Sequence, residues 1–183
     1  MYRIMHDDKK WEMKLYQIIH TPIIDEVGSF PDAILSNSDG CIWIMGWKTF
    51  LANTPKDGSG AYLNFTKFKT PALEDGNLDK NGIRIVNLLM SDVITSFTVN
   101  NAHAIQQGCC LKNLKVYVPY GCSGFGYQGI DIISLEEGRV VSNINLMGTD
   151  VGEPEAVFFY KGEMFIADSA TSIKRIMNYK ESE

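Results

Sequence analysis

The sequence predicts an all-β protein made of four-stranded antiparallel units, and three observations point there. First, an outline recurs three times: a short strand, a polar turn, then an apolar–aromatic–apolar strand. Second, hairpins lie between the copies, and their second strand alternates apolar and polar residues as a half-exposed strand does. Third, 11% aromatic residues and 16 glycines in 183 residues favour sheet and turn over helix.

The elements follow in order along one domain, residues 1–183. An N-terminal hairpin spans 2–20: Tyr2-Arg3-Ile4-Met5 leads through Asp7-Asp8-Lys9-Lys10 to Met13, Leu15 and Ile18. The spacing from Trp11 to Ile19 also suits one short helix, the main rival element. The first unit, near 31–100, opens with Pro31-Asp32-Ala33-Ile34, turns at SNSDG and continues in Ile42-Trp43-Ile44. Its excess length between Trp47 and Asn81 reads as an inserted loop or hairpin, with TPKDGSG and EDGNLDKNG flanking Tyr62-Leu63-Asn64-Phe65. Ile83-Arg84-Ile85-Val86 then leads to a paired strand at Val93–Val99.

A second unit, near 102–147, opens with Ala102-His103-Ala104-Ile105 and reaches Val116-Tyr117-Val118. Ile130-Asp131-Ile132-Ile133 and Val140–Leu146 close it around a Glu136-Glu137-Gly138 turn. The third, near 154–183, runs from Pro154-Glu155-Ala156-Val157 through Met164-Phe165-Ile166 to Ile173-Lys174-Arg175-Ile176. The three central triplets are apolar on both faces, which suits strands buried between layers. Trp43, Tyr117 and Phe165 therefore occupy equivalent positions.

Composition narrows the partners. A formal charge of −5 without a long basic run disfavours a phosphate-tracking nucleic-acid surface. No apolar stretch reaches the roughly 18 residues that span a bilayer. The opening MYRIMHDDKKWEMK is charged and has no apolar h-region, so no secretory leader is expected. Cys41, Cys109, Cys110 and Cys122 form no CxxC, so neither a zinc centre nor another cofactor is expected, and a reducing compartment suits them. The expected setting is cytoplasmic or virion-associated, or extracellular for a fragment of a longer chain.

In this outline the sequence resembles β-propeller repeat proteins, including bacterial surface or secreted propellers and receptor-binding propellers of phage tails. The resemblance rests on Gly152-Glu153-Pro154-Glu155-Ala156 with Lys161–Asp168, and on Ile130-Asp131-Ile132 with its Glu137-Gly138 turn. It implies a β-propeller-like fold of four-stranded blades with a period of roughly 40–50 residues. About three blades are visible, whereas propellers have about 4–8. A partial ring, completed by another copy or a second chain, is one expectation, and a misread insert is another.

The resemblance also implies that residues just before each first strand converge at one channel mouth. In this alignment they are Asp32, His103 and Glu155, with Glu153 nearby. A histidine and carboxylates there would suit a ligand, nitrogen–oxygen metal coordination, or acid/base work on a glycoside. The plainer alternative is that they bond to loop backbone and seal neighbouring units. Gly121-Cys122-Ser123-Gly124-Phe125-Gly126-Tyr127-Gln128-Gly129 lacks the helix or Gly-Lys-Ser/Thr ending of a phosphate loop and reads as a flexible connection. Its Phe125 and Tyr127, with Trp47 and Tyr120, make an aromatic platform for a sugar ring or else pack between units. Cys109 or Cys110 with His103 is a conceivable nucleophile–base pair.

No Gly-x-Ser-x-Gly elbow and no HExxH occurs. The expected function is a non-enzymatic recognition or assembly module for a glycan, a cell-surface polymer or a protein. The alternative is a carbohydrate-active hydrolase or lyase.

Overall fold

The computed structural model describes residues 2–6, 11–22, 30–36, 39–47, 58–169 and 172–176. They form an all-β protein, with no α-helix among the described residues. The strands are β1 (Tyr2–His6), β2 (Trp11–Leu15), β3 (Gln17–His20), β4 (Phe30–Ser36), β5 (Cys41–Trp47), β6 (Ala61–Lys69), β7 (Asn77–Leu78) and β8 (Arg84–Asn87). They continue as β9 (Val93–Ala102), β10 (Cys110–Lys112), β11 (Lys115–Cys122), β12 (Tyr127–Ser134), β13 (Arg139–Asn145), β14 (Pro154–Tyr160), β15 (Glu163–Asp168) and β16 (Ser172–Arg175). Trp11 to Ile19, the rival helix, is extended: β1 pairs antiparallel with β2, placing Ile4 opposite Met13, and β3 follows.

Three antiparallel sheets form the body of the molecule: β4-β5-β6-β9, β10-β11-β12-β13 and β14-β15-β16. Two of their hairpins are closed by tight two-residue turns. Asn113 and Leu114, and Lys161 and Gly162, all have positive φ, as two-residue type I′ turns require. The sheets stack in chain order. Trp43, Met45, Leu63, Phe65 and Val99 of the first meet Val116, Val118 and Ile133 of the second. On the second sheet's other face, Tyr117, Ile130 and Ile132 meet Val157, Met164 and Ile166 of the third. The first sheet's remaining face carries Ile42, Ile44 and Phe68 and is covered by Ile19, Val86 and Leu88. No closed ring of sheets is formed among the described residues.

Register puts the three aromatic residues in equivalent places. Trp43 pairs with Leu35 and Lys67, Tyr117 with Cys110 and Ile132, and Phe165 with Phe158 and Arg175. Side chains alternate across a strand, so each points to the face opposite its two apolar neighbours. Trp43 and Tyr117 are buried because another sheet follows, whereas Phe165 is half-buried and stacks on Phe158.

The segment expected as an insert is corrected by the pairing. Tyr62–Phe65 belongs to β6, the third strand of the first sheet, lying between β5 and β9. Leu63, Phe65 and Phe68 are completely buried there, a position that no surface loop supplies. The excursion lies later. Asp75 caps the Ala72 N–H, and the chain turns at Gly76 into β7 and β8. β8 does not pair with β9; it pairs in parallel with β3. The buried Gln17 amide ties this side sheet down by donating to the carbonyls of Ala72 and Asp75, at 2.9 and 3.2 Å.

Candidate functional site

The chain crosses from the first sheet to the second just after Ala102, the end of β9. His103 comes next, and the backbone then turns through Ile105, which has φ of 60°. Gln106 bridges to Tyr120, and the N–H groups of Gln107 and Gly121 donate to the carbonyls of Pro119 and Ile105. This crossing fixes His103 over the face of β11 and β12 that looks back at the first sheet.

There His103 meets Asp131, a carboxylate on β12 with only 1% of its side chain exposed. The backbone N–H of His103 donates to Asp131 Oδ2 at 2.7 Å, and its Nδ1 lies 2.9 and 3.1 Å from Oδ1 and Oδ2. Asn143 Nδ2 donates to Asp131 Oδ1 and to the Tyr120 hydroxyl oxygen, both at 2.9 Å. The Gln106 amide donates to the His103 carbonyl. A buried carboxylate is costly unless its oxygens are satisfied, and these donors satisfy them.

The imidazole lies flat on Tyr120, with ring centroids 4.0 Å apart and planes at 7°. The row of rings continues outward. Tyr120 and Tyr127 are 6.5 Å apart, and Tyr127 and Phe125 are 6.3 Å apart. Exposure rises along it: Tyr120 is buried, Tyr127 half-buried, and Phe125 is 57% exposed. Burial pushes the Tyr120 hydroxyl above its ordinary pKa, the Asn143 hydrogen bond opposes this, and the nearby Asp131 charge adds to it.

The glycine-rich run is therefore not a flexible loop. Gly121 and Gly129 lie within β11 and β12, joined by a short 3-10 turn at Ser123–Phe125. Gly121 has φ of 70°, and a Cβ there would lie 2.2 Å from the Tyr127 carbonyl oxygen. At Gly129 a Cβ would strike the Tyr120 hydroxyl at 2.4 Å. These glycines let the two tyrosines lie against the backbone. Gly121→Ala should cost roughly 1–3 kcal/mol of stability, measured by chemical denaturation, and should displace Tyr127.

The remaining expected residues lie elsewhere. Asp32 and Glu155 each occupy the extra residue of a β-bulge, at matching registers in β4 and β14. In the second sheet the matching position is Gln107, because Gln106 opposite Tyr120 corresponds to Pro154 opposite Asp168. His103 stands four residues earlier, so its alignment with Asp32 and Glu155 is corrected. Glu153 accepts a 3.1 Å hydrogen bond from Gln107 Nε2, and the Glu155 carbonyl accepts one from the Gly108 N–H. Both glutamates thus lie at the junction of the second and third sheets. The side chains of Asp32 and Trp47 lie outside the described residues.

Nδ1 of His103 is engaged by Asp131, so a cysteine partner would have to meet its Nε2. Burial also raises the Cys110 thiol pKa, against a weaker effect of Lys112, which is the reverse of nucleophile activation. No group of three or more metal-ligating side chains occurs among the described residues. Among the described residues no helix is long and apolar enough to cross a membrane.

Asp131 and Asn143 are the residues that reading the sequence missed. One signal was available. Asp131 is a lone acid between isoleucines in a strand with apolar residues on both faces, and such a charge needs a partner. Compared with known proteins, the chain matches no protein-family model and no curated protein.

Proposed function

We propose that this protein is a non-enzymatic recognition module that binds a glycan along the row His103–Tyr120–Tyr127–Phe125. The observation that carries this reading is the graded exposure of a continuous series of rings ending in the exposed Phe125. Sugar rings present C–H faces that pack on aromatic faces, while their hydroxyls need polar partners at the rim. His103 supplies a polar edge at the inner end of the row. In this reading the three stacked sheets are blades of a propeller-like assembly, and a further chain completes the ring. A virion or bacterial surface component is the setting that fits such a module.

The Asp131–His103 pair favours one second reading, a carbohydrate-active enzyme, because a carboxylate behind an imidazole is also how a general base is oriented. A glycan array read together with a reducing-sugar release assay separates the two. Binding without release supports recognition; release that is lost in a His103 variant supports catalysis. Phe125→Ala should abolish retention of the bound glycan while changing stability by no more than about 0.5 kcal/mol, as expected for an exposed side chain. Unchanged binding in that variant would remove the rings from the site.

A further inference from the structure

We infer that Asp131 fixes the tautomer of the neutral His103 imidazole and so makes its Nε2 a hydrogen-bond acceptor, which selects neutral, hydroxyl-rich saccharides over acidic ones. The inference rests on the glycan-recognition reading and names the ligand class of that site. Both Asp131 oxygens face His103 Nδ1, at 2.9 and 3.1 Å, and a carboxylate accepts but does not donate. In the neutral imidazole, then, Nδ1 carries the hydrogen and Nε2 carries the lone pair.

Nε2 lies on the opposite edge of the ring from Asp131. Among the described residues it makes no hydrogen bond, yet it is not among the buried unsatisfied atoms, and 26% of the side chain is exposed. It is thus a lone pair open to solvent beside the ring row. The imidazole cannot easily turn over to present an N–H instead. Its face is stacked on Tyr120 at 4.0 Å, and turning it would leave the buried Asp131 facing a carbon. The Asn143 bridge between Asp131 and the Tyr120 hydroxyl holds both partners in place.

A sugar hydroxyl can donate to this lone pair while its ring lies along Tyr127 and Phe125. A uronate or sulfate group has only acceptors to offer, and it would meet an acceptor backed by the Asp131 charge. Asp131 and Asn143 are accordingly positioning residues that act through His103.

The test combines a spectroscopic measurement with a binding one. A long-range proton–nitrogen correlation spectrum of the labelled chain, at an alkaline pH where an ordinary imidazole is neutral, should show His103 protonated at Nδ1. His103→Asn identifies its signals. That variant keeps a donor near the Nδ1 position and removes Nε2. At the same pH it should bind neutral hexose oligomers about tenfold more weakly than the parent while still unfolding cooperatively. Uronic-acid oligomers of the same length should bind the parent more weakly than the neutral ones.

An Nε2-protonated signal would overturn the inference whatever binds. So would equal affinity in the folded His103→Asn variant, or preference for the uronic-acid series, although each would leave glycan recognition standing. A parent protein that binds neither series would instead remove the recognition reading, and the ligand assignment with it.

Discussion

Replacing Tyr117 with alanine should lower the unfolding free energy by roughly 3–5 kcal/mol, seen as a shift of the denaturation midpoint at unchanged slope. Tyr117 is completely buried between the second and third sheets and meets Phe159 edge-on at 4.8 Å. Truncation forfeits the transfer free energy of the ring and leaves a cavity lined by Ile130, Ile132, Val157 and Met164. The paired strands on both sides hold that lining apart, so little of the cavity can collapse. Phe165→Ala provides the contrast. The residue is register-equivalent but half-buried, so its loss should be clearly smaller. Equal effects at the two positions would contradict the stacking order of the sheets.

Asp131→Ala should be comparably severe, at roughly 3–5 kcal/mol. The cost does not come from lost attraction alone. The His103 N–H, the His103 Nδ1–H and an Asn143 N–H would all remain in place facing a space that the carboxylate had filled. Asp131→Asn restores volume and an acceptor oxygen, and about half of the loss should return with it. If alanine and asparagine were equally harmless in thermal unfolding, the cluster would not join the first two sheets as described.

The inner strands were legible in the sequence because burial on both faces leaves a local mark. Ile42-Trp43-Ile44, Val116-Tyr117-Val118 and Met164-Phe165-Ile166 carry no polar residue to signal an outside. The Lys161-Gly162 turn fixed register over a short distance, whereas the Asn113-Leu114 turn, with leucine at positive φ, had no such signal. β6 was misread for a related reason. It stands between two turn-rich segments, and its neighbour in the sheet, β9, begins more than twenty residues later, after the β7–β8 excursion. Local pattern does not report which distant strand completes a sheet.

The site was legible only in part. Tyr120 and Tyr127 come from adjacent strands and Phe125 from the turn between them, so their proximity follows from the β11–β12 hairpin. His103 was placed at the wrong register because Ala102-His103-Ala104 looks like Pro31-Asp32-Ala33 and Pro154-Glu155-Ala156. The structural counterpart, Gln106-Gln107-Gly108, shares no residue with either. The His103–Asp131 pairing spans 28 residues and two sheets, and only the crossing that pins Gln106 to Tyr120 creates it.

Retention of immobilised oligosaccharides by the parent chain and by a Phe125→Ala/Tyr127→Ala double variant, compared at equal folded concentration, tests the recognition reading most directly. The expected result is retention by the parent on at least one neutral saccharide and none above background by the double variant. Retention that survives loss of both rings, or a parent retained on no saccharide, would contradict it.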